Sequence, residues 1–158
     1  MGGNVKGGNE MNILDNLRQE LINQQICRID FRRDKSLFIG LGNKYPTFRK
    51  AVSFYGQWEI GTYNASWRII KDGKILIASE SEKLIIEEKE IVSLPQFKLK
   101  EIDEPTPFDL SFVFSKNLKI DFLNCYTDDD EFVHVIKIDK TWWEKKQNGL
   151  WLKGKDDV

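Results

Sequence analysis

Apolar and polar positions alternate along most of this chain, and the alternation changes period once near its start. Over residues 11–25, Leu14, Leu17, Leu21 and Ile22 recur at helical spacing, with Asn16, Arg18, Glu20 and Gln24 on the other face. This predicts an amphipathic helix, with Asn12 as its cap and Asp15 in its first turn. From Ile26 the period drops to two. Cys27, Ile29 and Phe31 alternate with Arg28 and Asp30, and Leu37, Ile39 and Leu41 follow a polar turn. A longer strand carries Val52, Phe54, Gly56, Trp58 and Ile60, with Gly56 as a bulge candidate and Tyr45-Pro46 in the loop before it.

The sharpest local signal is Trp67-Arg68-Ile69-Ile70, then Lys71-Asp72-Gly73-Lys74, then Ile75-Leu76-Ile77. Asp-Gly supplies the positive φ angles of a tight hairpin turn. Ser79-Glu80-Ser81-Glu82 has the form of a capping box before Leu84-Ile85-Ile86, which suits a second helix or a strand, ended by Pro95. Beyond it, Phe97 and Leu99 open a poorly alternating strand, and Asp103 to Pro107 form a stiff loop. Strands at 110–114, 118–122 and 132–138, joined by short turns, read as a meander. A shift of 73 residues lays Ile29 on Ile102, Asp30 on Asp103, Leu37 on Leu110, Ile39 on Phe112 and Leu41 on Phe114. The halves are therefore candidates for two related β-units. The expected fold is α+β: an N-terminal helix packed on a largely antiparallel β-sheet, one domain over residues 11–158 with a short C-terminal extension.

Residues 1–10 are polar and glycine-rich, and a disordered tail is expected there. Lys6-Gly7-Gly8 can be encoded as a ribosome-binding sequence, which makes Met11 a candidate start. The composition is that of a globular protein, 41% hydrophobic and 31% charged over 158 residues, and no apolar run approaches the roughly 20 residues of a bilayer span. A cytoplasmic location is the default. The net charge of −1 lacks the basic excess that phosphate neutralisation demands of nucleic-acid binders. Neither nucleic acid nor a membrane is an expected partner, and no cofactor is expected.

Candidate chemistry is sparse. Cys27 and Cys125 read as buried thiols, and one histidine, His134, precludes the usual zinc sites. His134 is expected to share a strand face with Phe132 and Ile136, opposite Val133 and Val135, as a core or boundary residue. No phosphate loop or EF-hand spacing occurs, so no catalytic residue is assigned and the chain reads as a non-enzyme. The densest charge cluster is Asp128, Asp129, Asp130 and Glu131, either a solvated turn or an acidic patch that meets a basic partner. Trp142 and Trp143 are adjacent and so cannot share a face. They either dock on the protein's own core or join the acidic residues as partner-binding anchors.

The run Ala65-Ser66-Trp67-Arg68-Ile69-Ile70-Lys71-Asp72-Gly73-Lys74-Ile75 with Ser79, and the later Leu110-Ser-Phe112-Val-Phe114-Ser-Lys-Asn117-Leu118-Lys-Ile120, resemble a recurring pattern in small uncharacterised bacterial proteins. Glu80 and Glu82 stand in for the acid that usually closes the first motif, and His134 falls where such proteins often show Trp. Several such families are associated with polymorphic-toxin immunity genes. The resemblance implies an immunity protein that occludes a cognate toxin. The rival expectation is a small-ligand-binding β-domain with Trp58 and Trp67 lining a cavity.

Overall fold

Leu14, Leu17 and Leu21 are buried on one face of helix α1 (Glu10–Leu21), where the helical spacing put them. The computed structural model describes residues 4–6, 10–32, 34–47, 54–81, 96–127 and 130–157. The helix starts before Asn12, which is therefore not its cap, and stops short of Gln25 because Asn23 takes a left-handed φ of 71°. Among the described residues the other regular elements are strands: β1 (Asn4–Lys6), β2 (Ile26–Phe31), β3 (Leu37–Pro46), β4 (Phe54–Thr62), β5 (Ser66–Lys71) and β6 (Lys74–Ala78), then β7 (Leu99–Asp103), β8 (Leu110–Phe114), β9 (Leu118–Leu123), β10 (Glu131–Lys137), β11 (Thr141–Lys146) and β12 (Trp151–Lys155). Among the described residues the class is thus mainly β, two antiparallel sheets with one short helix, so the largely antiparallel sheet and the N-terminal helix of the α+β expectation are present and its balance shifts towards β.

One sheet has the order β1-β12-β11-β10-β4-β3-β2, the other β6-β5-β9-β8-β7. Their apolar faces, with the stripe of α1, form one core. Several expectations change here. The tail is not wholly unstructured, since Asn4–Lys6 pairs with β12. Tyr45 and Pro46 continue β3, and the bulge lies in β3 between Leu41 and Lys44, where Gly42 has φ 81°. Strand β10 does not extend the β8–β9 meander but crosses to pair with β4. The C-terminal extension is two core strands. The second-helix reading at 82–95 lies outside the described residues. The 67–77 hairpin is present, with Asp72 at φ 52° and Gly73 at φ 77°.

The β2–β3 and β7–β8 hairpins share one register. Ile26↔Leu41, Ile29↔Ile39 and Asp30↔Phe38 in the first become Leu99↔Phe114, Ile102↔Phe112 and Asp103↔Ser111 in the second, each position displaced by 73 (99 − 26). Both hairpins bulge at the same step, after Ile26 and after Leu99. Gln25 and Lys98, also 73 apart, face each other in an isolated antiparallel bridge. Around it, Ile26 N donates to Phe97 O (2.9 Å) and Leu99 N to Gln24 O (2.9 Å), while Gly42 N donates to Gln25 O and Ser115 N to Lys98 O (both 2.8 Å). A local two-fold axis passes through this bridge. Across the sheets the inward rows correspond as Ile39-Ile60-Val135-Trp143 and Phe112-Ile120-Ile69-Ile77. Each meander therefore receives, on its outer edge, the strand that follows the other meander in sequence.

Candidate functional site

Three connections meet at one end of the molecule: the β7–β8 loop (104–109), the β9–β10 loop (124–130) and the β11–β12 turn (147–150). Thr106 Oγ1 donates to Asp109 Oδ2 (2.8 Å) and accepts from the amides of Phe108 and Asp109 (both 3.2 Å), which sets the first loop. Asn124 then ties all three together. Its amide donates to Asp109 Oδ1 (2.9 Å), its Nδ2 donates to Gln147 O (2.5 Å), and Gln147 N donates to Asp130 O (2.9 Å). Gly149 closes the turn at φ 91°, and a Cβ there would lie 2.8 Å from Pro107 O, so the turn sits directly against the loop.

Between them lies an open cleft of about 490 Å³, lined by Thr106, Phe108, Asp109, Asn124, Tyr126, Thr127, Gln147 and Asn148. Phe108 is 51% exposed and Tyr126 54%. Gln147 is only 4% exposed, and its Oε1 has no hydrogen-bond partner. Beneath the cleft Lys145 is fully buried. It donates to the Glu104 carboxylate and to Asp109 O (3.2 Å), and its Nζ lies 5.7 Å from the centre of the Trp151 ring. A buried ammonium is tolerable only with such a counter-charge and acceptors.

Two members of the acidic cluster, Asp130 and Glu131, adjoin this cleft through their backbone carbonyls, which accept hydrogen bonds from Gln147. Asp130 is exposed, and Glu131 is half-buried. Asp128 and Asp129 lie outside the described residues. Trp142 and Trp143 are corrected as partner anchors: they are 1% and 0% exposed. As strand neighbours they point to opposite faces. Trp143 enters the core and donates from Nε1 to Asn16 Oδ1 of α1 (3.0 Å). Trp142 lies on the outer face opposite Gly154, and its Nε1 donates to Asp156 Oδ1 (3.1 Å). Trp58 and Trp67, expected to line a cavity in the ligand-binding reading, are also core residues. The residues that the sequence reading missed are Phe108, Tyr126, Asn124 and Gln147. The available signal was an aromatic in each of two turn-rich segments, where no alternation calls for one.

His134 sits away from the cleft, on the outer face of the larger sheet in the row Asp30-Phe38-Gly61-His134-Glu144. Gly61 makes room for it: a Cβ there would come within 2.6 Å of the imidazole and of Phe38. Tyr63 stacks on the ring at 5.7 Å. His134 Nδ1 lies 3.1 Å from Glu131 Oε1 without hydrogen-bond geometry, so the contact is ionic only when the ring is protonated. Phe132 does not share this face but is wholly buried, because the β10–β11 register shifts between Glu131 and Val133. On the same outer face, burial pushes the Glu59 carboxyl above its usual value, against the pull of Arg28 (2.6 Å) and the Gly56 amide (2.8 Å).

Cys27 is half-buried, and burial pushes its thiol up, whereas Cys125 is exposed rather than buried. Both are free. Among the described residues no group of three His, Cys, Asp or Glu side chains is placed to hold a metal ion. No described helix is long and apolar enough to cross a membrane. Comparison with protein-family models, with curated proteins and with solved structures yields no match to this chain.

Proposed function

We propose that this chain is a non-enzymatic protein-binding domain that works in the cytoplasm, and that it neutralises a cognate bacterial toxin by covering a basic surface. The observation that carries the reading is the chemistry of the cleft end. Two aromatic rings are more than half exposed on loops that a hydrogen-bond network holds in place. The three connections and the first residue of β10 carry Glu104, Asp109, Asp128, Asp129, Asp130 and Glu131 and no Lys or Arg. Exposed aromatic anchors ringed by charge of one sign are what a tight interface of roughly 1,600 Å² needs. The acidic field would steer a basic partner and speed encounter.

The shared register of the two hairpins supports the further reading that the scaffold consists of two related β-units. On that scaffold only the second set of connections is elaborated into a binding end. The test is co-purification with the toxin-domain protein encoded beside the gene, followed by titration calorimetry. A one-to-one complex is expected. It should weaken with salt, and by at least about tenfold when Asp128, Asp129 and Asp130 are all changed to Asn. Unaltered affinity in the triple variant removes the acidic loop from the mechanism.

A further inference from the structure

The two halves of the chain cross from sheet to sheet. Residues up to Ala78 supply β1–β4 to the larger sheet and β5–β6 to the smaller, while residues from Leu99 supply β7–β9 to the smaller and β10–β12 to the larger. Among the described residues, β5 and β6 pair with no other strand of their own half, and β10–β12 pair with none of β7–β9. The joints lie between the halves: β10 on β4, β5 on β9 and β1 on β12. Parting the halves would break both inward rows in the middle, taking Ile39 and Ile60 from Val135 and Trp143, and Phe112 and Ile120 from Ile69 and Ile77. All of these side chains are at most 3% exposed, so neither half closes a core alone. We propose that the two halves are mutual binding partners, each recognising the open strand edge of the other as one protein recognises another, and that the Arg68–Asp121 ion pair selects the unlike half over the like one. This extends the two-unit reading from shared register to mutual recognition.

Selection is needed because matching registers would let β4 receive β5 of a second copy in place of β10. In the native joints His134 lies opposite Gly61, and Arg68 opposite Asp121. Asp121 is 3% exposed. Its carboxylate accepts from Arg68 Nε across the joint (2.9 Å) and from Ser111 Oγ within its own half (2.7 Å), with Lys119 Nζ at 3.5 Å. Pairing two first halves would set Arg68 opposite Gly61, away from Asp121. Pairing two second halves would set His134 opposite Asp121 and leave the buried carboxylate without its guanidinium. A wrong partner is thus rejected by a buried charge short of its counterpart. Gly61 adds shape, since a Cβ there would come within 2.6 Å of the His134 ring and this place on β4 is fitted to it. Helix α1 of the first half then reaches three strands of the second. Asn16 Oδ1 accepts from Trp143 Nε1 (3.0 Å), Arg18 Nη2 donates to Ile102 O (2.9 Å), and Glu20 pairs with Lys137 (3.1 Å).

The experiment puts a protease site into the β6–β7 connection of the full chain, between residues 82 and 95, and cuts the folded protein. Light scattering should find one particle of the full mass after the cut. The halves are then separated in urea and returned to buffer apart and together. Each carries its own reporters, Trp58 and Trp67 in the first and Trp142, Trp143 and Trp151 in the second. Together they should regain one cooperative urea transition, and apart neither should show one. If the lone halves precipitate, co-expression from two reading frames with a tag on the first half carries the test, and the untagged half should be retained one to one. Arg68→Ala should weaken the assembly several-fold, while Lys74→Ala, exposed on β6 and away from the joints, should leave it unchanged. A cut chain that falls into two particles, a half that unfolds cooperatively by itself, or undiminished assembly of Arg68→Ala overturns the proposal. So do like halves that pair as tightly as unlike ones. Each of those results leaves the shared register of the hairpins standing, and none bears on toxin binding.

Discussion

The two-fold relation through Gln25 and Lys98 gives the molecule two loop clusters on matching backbone, and they have opposite character. One gathers residues 32–36, 63–65 and 79–81, the other residues 104–109, 124–130 and 147–150. In the first, Trp67 seals the end. Its Nε1 donates to Lys35 O (2.7 Å), its ring stacks on Phe31, and its backbone exchanges hydrogen bonds with Ser79. Following the paired rows outward, Val133 and Lys145 hold the corresponding places in the second. There the space that an indole fills is occupied by a valine and a lysine that reaches Glu104. The connection between sheets is seven residues long (124–130) where its counterpart has three (63–65). Matching pairing over five strands of each sheet thus supports a closed end and an open one, and the differences include one aromatic plug, four extra loop residues and, at the open end, a turn into the further strand β12.

If Trp67 is the plug, removing it is the most damaging single change. Trp67→Ala should cost about 3–5 kcal/mol, read from urea denaturation, because the cavity sits in the shared core. Val133→Ala, at the corresponding place, should cost no more than about half of that. Equal losses would mean that the two ends are supported alike.

The open end depends instead on a buried charge. Glu104→Gln leaves the Lys145 ammonium enclosed without its counter-charge, and a loss of about 3 kcal/mol is expected. Adding Lys145→Met should recover a large part of that loss, since no charge is then left buried. A double variant as unstable as Glu104→Gln alone would show that packing, not the ion pair, holds the open end.

The smallest effect belongs to the closed end. The Ser36 hydroxyl and amide donate to Asp34 Oδ1 (2.5 and 3.0 Å) and hold its carboxyl below the usual value. A depressed folded-state value contributes stability above the ordinary aspartate range, and that contribution fades as pH falls through the depressed value. Asp34→Asn should therefore lower the urea midpoint slightly at neutral pH and leave it unchanged in strong acid. A midpoint difference that grows in acid contradicts the sign.

Much of this was legible in the chain because strand alternation is a local signal. The 67–77 hairpin followed from Asp72-Gly73, and the spacing of Leu14, Leu17 and Leu21 gave the buried face of the helix. The 73-residue echo of Ile29, Asp30, Ile39 and Leu41 named positions whose registers coincide. The cleft was half legible. Asp130 marked its neighbourhood through charge, but Phe108 and Gln147 carry no periodic signature.

Sequence by itself determined where the chain runs extended, where it turns and which side of most strands is apolar, because those properties depend on neighbours within a few residues. Tertiary structure decided which strand lies beside which, and with it the exchange of β5 and β10 between sheets, the burial of both Trp142 and Trp143, and the meeting of three distant loops around one unpartnered amide oxygen. Backbone donors and acceptors on a strand edge are alike for every candidate neighbour, so pairing is chosen only when whole apolar faces close on one another.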